Sequence, residues 1–525
     1  MKAELLEHIY QRLQGRALLE EEVKWALRSQ EDELKKLQEK EIDDLLSLLV
    51  TSGKVQCTAS LEAVSKREEG EESFFSFFTW MKRMRWFGRG NSKSAYRCNR
   101  CGADEKDIHL VYCHRCQGEC AYCRRCLVMG RSSCCVPYYL FPCDRQKVKQ
   151  NIHMEAALNS YPQLTEAQCA AARSMLEFYE RTSGEKQEFL VWAVCGAGKT
   201  EVMFPLLRYL LENGRSVLWA TPRRDVVLEL APRLRQVFPD YALAVLHGNT
   251  PPQEKWIADR LVLATTHQAL RFYRRFDVVI MDEVDAYPYT SDEMLPFAVN
   301  RARTLPGKTV YLTATPRSDY QKRMQKSANH KDFLPHVKIP VRYHGHPLPE
   351  PDIYRESKLN ARLSTKKPIP TLLSFIEHSE KEGSPVFIFV PAIRQLPILY
   401  DYIISHNESW KAKAATVHAS DPEREAKVMA LREGRLQALL TTTIMERGVT
   451  LPGIQVLVCQ ADAPVFDEAA LVQIAGRAER SASDPYGQVI FMAEEVTDTM
   501  KAAIQQIKEM NRLARKMGYV NVGGK

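Results

Sequence analysis

The stretch VWAVCGAGKT, residues 191–200, runs from apolar residues into Gly-Ala-Gly-Lys-Thr, and those residue types in that order suit the grip on a phosphate chain. Gly196 and Gly198 let the backbone curl until its N–H groups point inward. Lys199 can then reach the β- and γ-phosphates and Thr200 can offer its hydroxyl to Mg²⁺. The usual G-x-x-x-x-G-K-T pattern has a glycine where this chain has Ala193, so the loop is a variant of it. Further on, FDVVIMDEVD at 276–285 delivers two carboxylates from an apolar run. Asp282 suits Mg²⁺, held through water, and Glu283 suits the orientation of an attacking water. Far downstream, QIAGRAER supplies Gln473, Arg477 and Arg480. Arginines arriving from a distant part of the chain can neutralise charge on a phosphoryl group in transfer. The chemistry these residues offer is nucleotide hydrolysis.

A second group of reactive side chains lies upstream. Of the fourteen cysteines, most crowd between Cys98 and Cys143 in C-x-x-C pairs, a pattern that points to metal in a reducing compartment. YRCNRCG supplies Cys98 and Cys101, VYCHRCQGEC supplies Cys113, Cys116 and Cys120, and AYCRRCLVMGR supplies Cys123 and Cys126. Two C-x-x-C turns present four thiolates tetrahedrally to Zn²⁺ and hold a small domain that has little core of its own. The spacing leaves open which four bind. A second site would use Cys113 and Cys116 with one of Cys134, Cys135 or Cys143. Cys57, Cys169, Cys195 and Cys459 have no ligand-spaced neighbour and read as reduced thiols.

The elements that must position these groups follow from hydrophobic patterning. From about residue 160, EFLVWAV, SVLWAT, LVLATT, DVVIMD and TVYLTAT alternate with helical segments, the texture of a parallel α/β domain. After a Pro- and charge-rich connector near 335–370 comes a second series, PVFIFVP, AATVH, ALLTTT, QVLVCQ and QVIFM. Two similar domains in tandem are therefore expected, with the catalytic groups at the carboxyl ends of strands, where parallel sheets gather ligands. Helix EVMFPLLRYLLE should follow the phosphate loop and stop at Asn213-Gly214. Residues 1–65 read as charged helical material, its run LLEEEVKWALRSQEDELKKLQEKEIDDLLSLL free of Gly and Pro. At 74–89, Phe74, Phe75, Phe77, Phe78, Trp80, Trp86 and Phe87 sit beside Lys82, Arg83, Arg85 and Arg89. Such a segment suits base stacking, an anionic membrane surface or packing against a neighbouring domain, the last being the simplest reading. The expected divisions are 1–93, 94–150, 151–340 and 341–525, with the cysteine module outside the two motor cores.

In bulk, 525 residues exceed what one hydrophobic core serves. A net charge of +8 permits a polyanionic partner without requiring one. The start MKAELLEHIYQRLQG lacks the apolar core of a signal peptide, and no window is apolar for the roughly 18 residues of a membrane span. Those features predict a cytosolic chain.

Taken in order, Leu164-Thr165 with Gln168, GAGKT, TPRRDVVLELAPRL, TTHQ, DEVD, TAT, TTTIMERGVT and QIAGRAER resemble the motifs of superfamily 2 helicases. The resemblance implies an α/β fold of two tandem RecA-like parallel-sheet domains, here preceded by a helical segment and a small zinc-binding module. It implies that Gln168 recognises adenine, so that ATP is the nucleotide. It implies contacts to the phosphates of one strand from Thr221, Pro222, Arg223, Thr265 and Thr266 in the first domain, and from Thr441, Thr442, Thr443 and Arg447 in the second. Hydroxyls and backbone amides grip phosphates without reading bases, so binding independent of sequence is expected. DEVD in place of DEAD or DEAH, and Glu479 where many helicases have Gly, argue against the ordinary RNA helicases.

The phrases VWAVCGAGKTE, ATPRRDVVLELAPRL, DEVDAYPY and TTTIMERGVT behind a cysteine module resemble more narrowly the late competence ATPases of the ComFA family of Gram-positive bacteria, over about residues 95 to 515. That resemblance implies an ATPase stimulated by single-stranded DNA. It would be cytoplasmic and peripheral at the inner face of the membrane, driving transforming DNA through the competence channel with other competence proteins. ATP, Mg²⁺ and Zn²⁺ are the implied cofactors. The family's zinc cysteines correspond to Cys98, Cys101, Cys123 and Cys126, and Cys113, Cys116 and Cys120 are additions. The alternatives are a duplex-unwinding restart helicase similar to PriA, and a DNA clamp or scaffold that hydrolysis merely resets.

Overall fold

The computed structural model describes residues 2–29, 32–64, 95–143, 151–181, 186–257, 259–286, 289, 292–445, 453–478 and 487–520. The aromatic and basic segment at 74–89, Arg447, Glu479 and Arg480 lie outside the described residues. The chain forms two compact units, one of Met1–Ser160, Met175–Leu190 and Phe204–Leu312, the other of Tyr161–Ser174, Val191–Met203 and Thr313–Lys525.

A seven-stranded sheet has the order Leu243–Leu246, Leu261–Thr265, Val217–Thr221, Phe276–Asp282, Arg303–Thr313, Glu188–Ala193, His336–Ile339. Val217–Thr221 and Leu261–Thr265 are buried along their whole length, which is why they read as continuous apolar runs rather than alternating ones. A six-stranded sheet has the order Asp352–Arg355, Val489–Ala493, Gln455–Cys459, Val386–Phe389, Ala438–Thr441, Ala414–Val417, and every neighbouring pair is parallel. Its core gathers Phe375, Tyr402 and Trp410 around the strands, with Ile369 N donating to the buried Tyr402 hydroxyl at 2.7 Å. All ten apolar runs singled out in the sequence are strands of these two sheets. Leu243–Leu246, His336–Ile339 and Asp352–Arg355 were not anticipated: all three are four-residue edge strands, the last two of mixed composition because an edge is buried on fewer sides.

The helix after the phosphate loop is broken, as Lys199–Val202 and then Phe204–Glu212. Pro205, which has no N–H to donate, sits where a continuous helix would need one and instead opens the second piece. That piece ends as anticipated. Gly214 takes a left-handed φ of 64°, and the N–H groups of Gly214 and Arg215 close on Leu211 O and Leu210 O at 2.9 and 2.8 Å.

The amino-terminal region departs from an uninterrupted helical run. Helices Lys2–Leu13, Glu20–Arg28, Asp32–Lys35 and Glu39–Thr51 are separated, and Ala17–Leu19 is a strand. Local propensity loses there to pairing with Pro137–Leu140, which lies between Ala17–Leu19 and Gln56–Ala59 in a three-stranded antiparallel sheet. The helices bury Ile9, Leu13, Val23, Leu27, Ile42 and Leu46 together with Phe141 and Trp256. Trp256 belongs to the chain between two strands of the seven-stranded sheet, so this core is shared with the first motor region rather than separate from it.

Candidate active site and metal centre

The phosphate loop leaves the buried strand Glu188–Ala193 and turns through Gly196 and Gly198, at φ of 78° and 73°. Both lie in the left-handed region that side chains avoid. A Cβ at Gly198 would also run into the Gln168 amide nitrogen. Gln168 is buried, accepts from Thr165 N at 2.9 Å and donates to Ala197 O at 2.9 Å, so the side chain expected to read adenine is seated on the loop's own backbone. Lys199 and Thr200 are half-buried at the start of the short helix, and Gly196 is exposed.

Gln473 and Gly476, the latter beside Arg477 in the chain, come to this loop. Helix Glu468–Ala475 buries Gln473, whose Oε1 accepts from Cys195 Sγ at 3.2 Å, and a Cβ at Gly476 would lie 2.5 Å from Cys195 Cβ. Cys195 is thus a packing surface for the loop. Arg342 was not foreseen, because nothing in a Pro-rich connector marks one arginine among others. Its guanidinium donates to Ala478 O at 2.9 Å and Gly476 O at 3.1 Å, and its stem lies 3.4 Å from where a Gly196 Cβ would sit. Tyr343 N donates to Gly196 O at 3.2 Å, so the segment that fixes the turn Gly476–Ala478 also fixes the loop. Asn511, on the carboxyl-terminal helix Asp498–Lys516, exchanges hydrogen bonds with Leu348 N and O at 2.7 and 3.0 Å and holds that connector.

In the first unit, Thr221, Thr265 and Asp282 all end strands of one parallel array. Thr221 is opposite Thr265, and Met281 is opposite Ala220. Asp282 is buried and Glu283 follows at φ 54°, with Glu283 N donating to Asp282 Oδ1 at 2.9 Å. A non-glycine residue held in the left-handed region costs on the order of 1 kcal/mol and marks a turn that must aim its side chain.

The side chains expected to grip a nucleic-acid strand divide by burial. Thr221, Thr265, Thr266 and Thr441 are buried, and the Thr441 hydroxyl donates to Val417 O at 3.0 Å. Pro222, Arg223, Thr442 and Thr443 are half-exposed. The Thr221 and Thr266 hydroxyls are buried without a hydrogen-bond partner among the described residues, and after Thr221 and Thr441 the next residue meets solvent.

Cys98, Cys101, Cys123 and Cys126 come together, all buried, their sulfurs within 4.8 Å of one another. Cys98 Sγ lies 3.7 Å from Cys126 Sγ, and Cys101 Sγ 3.5 Å from Cys123 Sγ. A tetrahedral Zn²⁺ with bonds of about 2.3 Å separates sulfurs by about 3.8 Å, whereas a disulfide needs about 2.05 Å, so the four thiols fit the metal. Away from the clusters, burial pushes the Cys57 thiol up to about 11 and that of Cys459 up to about 12, in keeping with reduced thiols.

The first turn of this knuckle is bolted to the motor region by buried charge, which the sequence did not disclose. Glu22 Oε1 accepts from Arg100 Nη2 at 2.8 Å and from Arg271 Nε at 3.0 Å, and Glu22 Oε2 accepts from Leu19 N at 3.1 Å. Arg271 closes the turn Thr266–Arg271 that contains the last three residues of TTHQ. Arg301 donates to Asn99 O, Arg100 O and Leu270 O at 3.0, 2.6 and 2.6 Å. These contacts tie the cysteine module to the part of the motor region with which it shares a compact unit.

Residues 87–140 match the family model for the competence protein ComFA N-terminal domain. Residues 161–318 match that for the type III restriction enzyme res subunit, and residues 367–482 the helicase conserved C-terminal domain. The chain is 40% identical over 426 residues to competence protein ComFA of Bacillus subtilis strain 168, an alignment covering 81% of this chain and 88% of that one. The chain belongs to the ComFA family. It is similarly 34% identical over 422 residues to competence protein ComFA of Streptococcus pneumoniae strain R6, covering 78% of this chain and 93% of the relative. Among solved structures, Mss116p bound to ssRNA and AMP-PNP aligns with a TM-score of 0.48 at 15% identity, over 67% of this chain and 76% of that one, too distant to bear on function. As a ComFA-family member with both helicase domains, the chain is a competence-associated ATP-dependent enzyme of the superfamily 2 helicase type, for which ATP and Mg²⁺ are implied. Among the described residues no helix is long and apolar enough to cross a membrane.

Proposed function

We propose that this ComFA-family chain is an ATP-driven translocase of single-stranded DNA that serves the uptake of transforming DNA, working at the inner face of the membrane with other competence proteins. The observation that carries the reading is the seating of the Gln473–Arg477 segment on the phosphate loop through Cys195 and Gly476. A site completed by that segment couples nucleotide occupancy to its position, which is what a motor requires. Lys199 and the loop N–H groups hold the phosphates, while Thr200 and Asp282 hold Mg²⁺. Glu283 orients the attacking water, and Arg477, with Arg480, neutralises the transition state. Gln168 turns from the loop to adenine. DNA phosphates are held by Arg223, Thr442 and Thr443 and by main-chain N–H groups of the residues flanking Pro222, which has none of its own, with the buried Thr221, Thr265, Thr266 and Thr441 beneath these grips. Cys98, Cys101, Cys123 and Cys126 hold one structural Zn²⁺.

The test is ATPase rate with single-stranded DNA, duplex DNA or RNA, paired with strand displacement by the same preparation. Single-stranded DNA of any sequence should stimulate strongly and lose its effect as salt rises, because phosphate grips release counterions. Arg477→Ala should leave DNA binding near wild type and lower hydrolysis by a factor on the order of 10³. Processive displacement of a long strand would support a PriA-like unwinder instead. DNA-stimulated hydrolysis with no directional movement would support a clamp. Equal stimulation by RNA would sink the reading altogether.

A further inference from the structure

We propose that Cys113, Cys116, Cys120 and Cys135 form a second Zn²⁺ site, distinct from that of Cys98, Cys101, Cys123 and Cys126, which staples the tip of a β-hairpin to the segment that follows the first zinc knuckle. Their sulfurs all lie within 4.8 Å of one another. Cys135 Sγ is 3.8 Å from Cys113 Sγ and 3.7 Å from Cys120 Sγ, the separation of about 3.8 Å set by a tetrahedral thiolate site.

The pleat of the hairpin explains why there are two sites and not one mass of sulfur. Ile108–Cys113 pairs antiparallel with Gly118–Cys123, with Cys113 opposite Gly118, Val111 opposite Cys120 and Ile108 opposite Cys123. Directly opposed residues share a face and successive residues alternate, so Cys113 and Cys120 belong to one face and Cys123 to the other. Cys116 enters from the turn, where Gln117 takes a left-handed φ of 52° and its amide donates to His114 O at 2.6 Å. A C-x-x-C turn at a hairpin tip with a third thiol on the returning strand is the ligand arrangement of a zinc knuckle.

The fourth ligand comes from a segment already fixed in place. Ser133 N donates to Ser60 Oγ and that hydroxyl donates to Ser133 O, both at 2.8 Å, and Cys134 N donates to Ala121 O at 3.1 Å. Cys135 therefore reaches the hairpin tip from a rigid base, with Ser133 Oγ 3.5 Å from its sulfur and placed to support a thiolate. Cys134 and Cys143, which spacing alone could not separate from Cys135, are not in the cluster; Cys143 Sγ faces Gln14 Oε1 at 3.6 Å. Cys113, Cys116 and Cys135 are at least partly exposed, and Tyr112 and Leu110 on the outer strand are exposed as well. A hairpin with so little core needs a cross-link of this kind, and the metal supplies it as the thiols give up their protons to solvent.

Metal analysis of the full chain by plasma mass spectrometry tests the proposal without reference to activity. Wild type should carry two zinc ions per chain, while Cys98→Ser and Cys135→Ser should each carry one. Cys116→Ser changes the exposed turn residue and leaves the buried cluster untouched, so it should also carry one zinc, with thermal melting of the motor region as in wild type. Cobalt exchanged for zinc should show thiolate-to-metal absorption that halves in Cys116→Ser. One zinc per chain in wild type, unchanged in Cys116→Ser and Cys135→Ser, would overturn the second site. Iron in place of the second zinc would overturn the choice of metal.

Discussion

Two tight turns in this molecule are held by the same device and differ in what surrounds it. The phosphate loop and the cysteine turn Cys98–Gly102 each carry left-handed glycines, Gly196 and Gly198 in one and Gly102 in the other. Each has an arginine beside it that clamps neighbouring carbonyl oxygens, Arg342 at Gly476 and Ala478, and Arg301 at Asn99 and Arg100. Around the cysteine turn the thiols and Arg100 are taken out of water, with only Asn99 and Gly102 half-buried: Arg100 is buried on Glu22, and a Cβ at Gly102 would press on the Phe297 ring at 2.9 Å. Around the phosphate loop Gly196 is exposed and Lys199 and Thr200 are half-buried. The closed surroundings make one turn a fixture. The other stays open to solvent at Gly196, as suits a ligand that comes and goes.

The comparison breaks if changes in the two turns have the same consequence. The largest effect is expected from Lys199→Ala, where hydrolysis should fall by a factor on the order of 10² to 10³ while thermal unfolding stays within about 2 °C of wild type, since the role proposed for the ammonium is to hold phosphate and Lys199 is only half-buried. Turnover near wild type would remove the loop from the active site, and a collapse of stability would make it a fixture like the cysteine turn.

Next comes Glu22→Leu, which leaves Arg100 and Arg271 buried around no carboxylate. The unit containing it should lose roughly 3–5 kcal/mol in its own urea transition, the cost of an uncompensated buried charge. Zinc at the first site should become easier to remove with a chelator, because the turn loses its brace. If only the amino-terminal helices soften while the transition of the motor region is unmoved, the charge group is not the bolt described here.

The smallest expected effect sharpens the comparison. Arg342→Ala removes a clamp without burying a new charge, so stability should fall by only about 1 kcal/mol, whereas ATPase should drop about tenfold through a looser turn at Gly476–Ala478. Arg342→Lys should recover little of this, because one ammonium cannot reproduce a fork on two carbonyls. Full activity in Arg342→Ala would leave the residue a bystander to the loop.

How much of this was legible beforehand depends on whether a signal is local. GAGKT, DEVD and the buried strands before them depend on short-range rules, namely left-handed glycines, lysine beside hydroxyl, and apolar runs buried on both faces, and these survive in one dimension. The C-x-x-C pairs are equally local, so metal chemistry could be read while the partition of ligands could not. Cys120 and Cys123 are three residues apart in the chain, yet the pleat sends them to different clusters. The strand at Ala17–Leu19 was hidden inside a helical pattern for a related reason: its partner, Pro137–Leu140, is more than a hundred residues away.

The sequence by itself determined the chemistry and the class of fold, because phosphate loops, paired carboxylates, thiol pairs and strand patterns are written within a few residues of one another. Only the tertiary structure decided how those parts are held. Glu22, Arg100 and Arg271 lie far apart along the chain and share one buried carboxylate, and Arg342 reaches two carbonyls in a helix end more than a hundred residues beyond it. A buried charge is tolerated only where its partner is already in place. That partner is chosen by packing in three dimensions, and no spacing in the sequence records it.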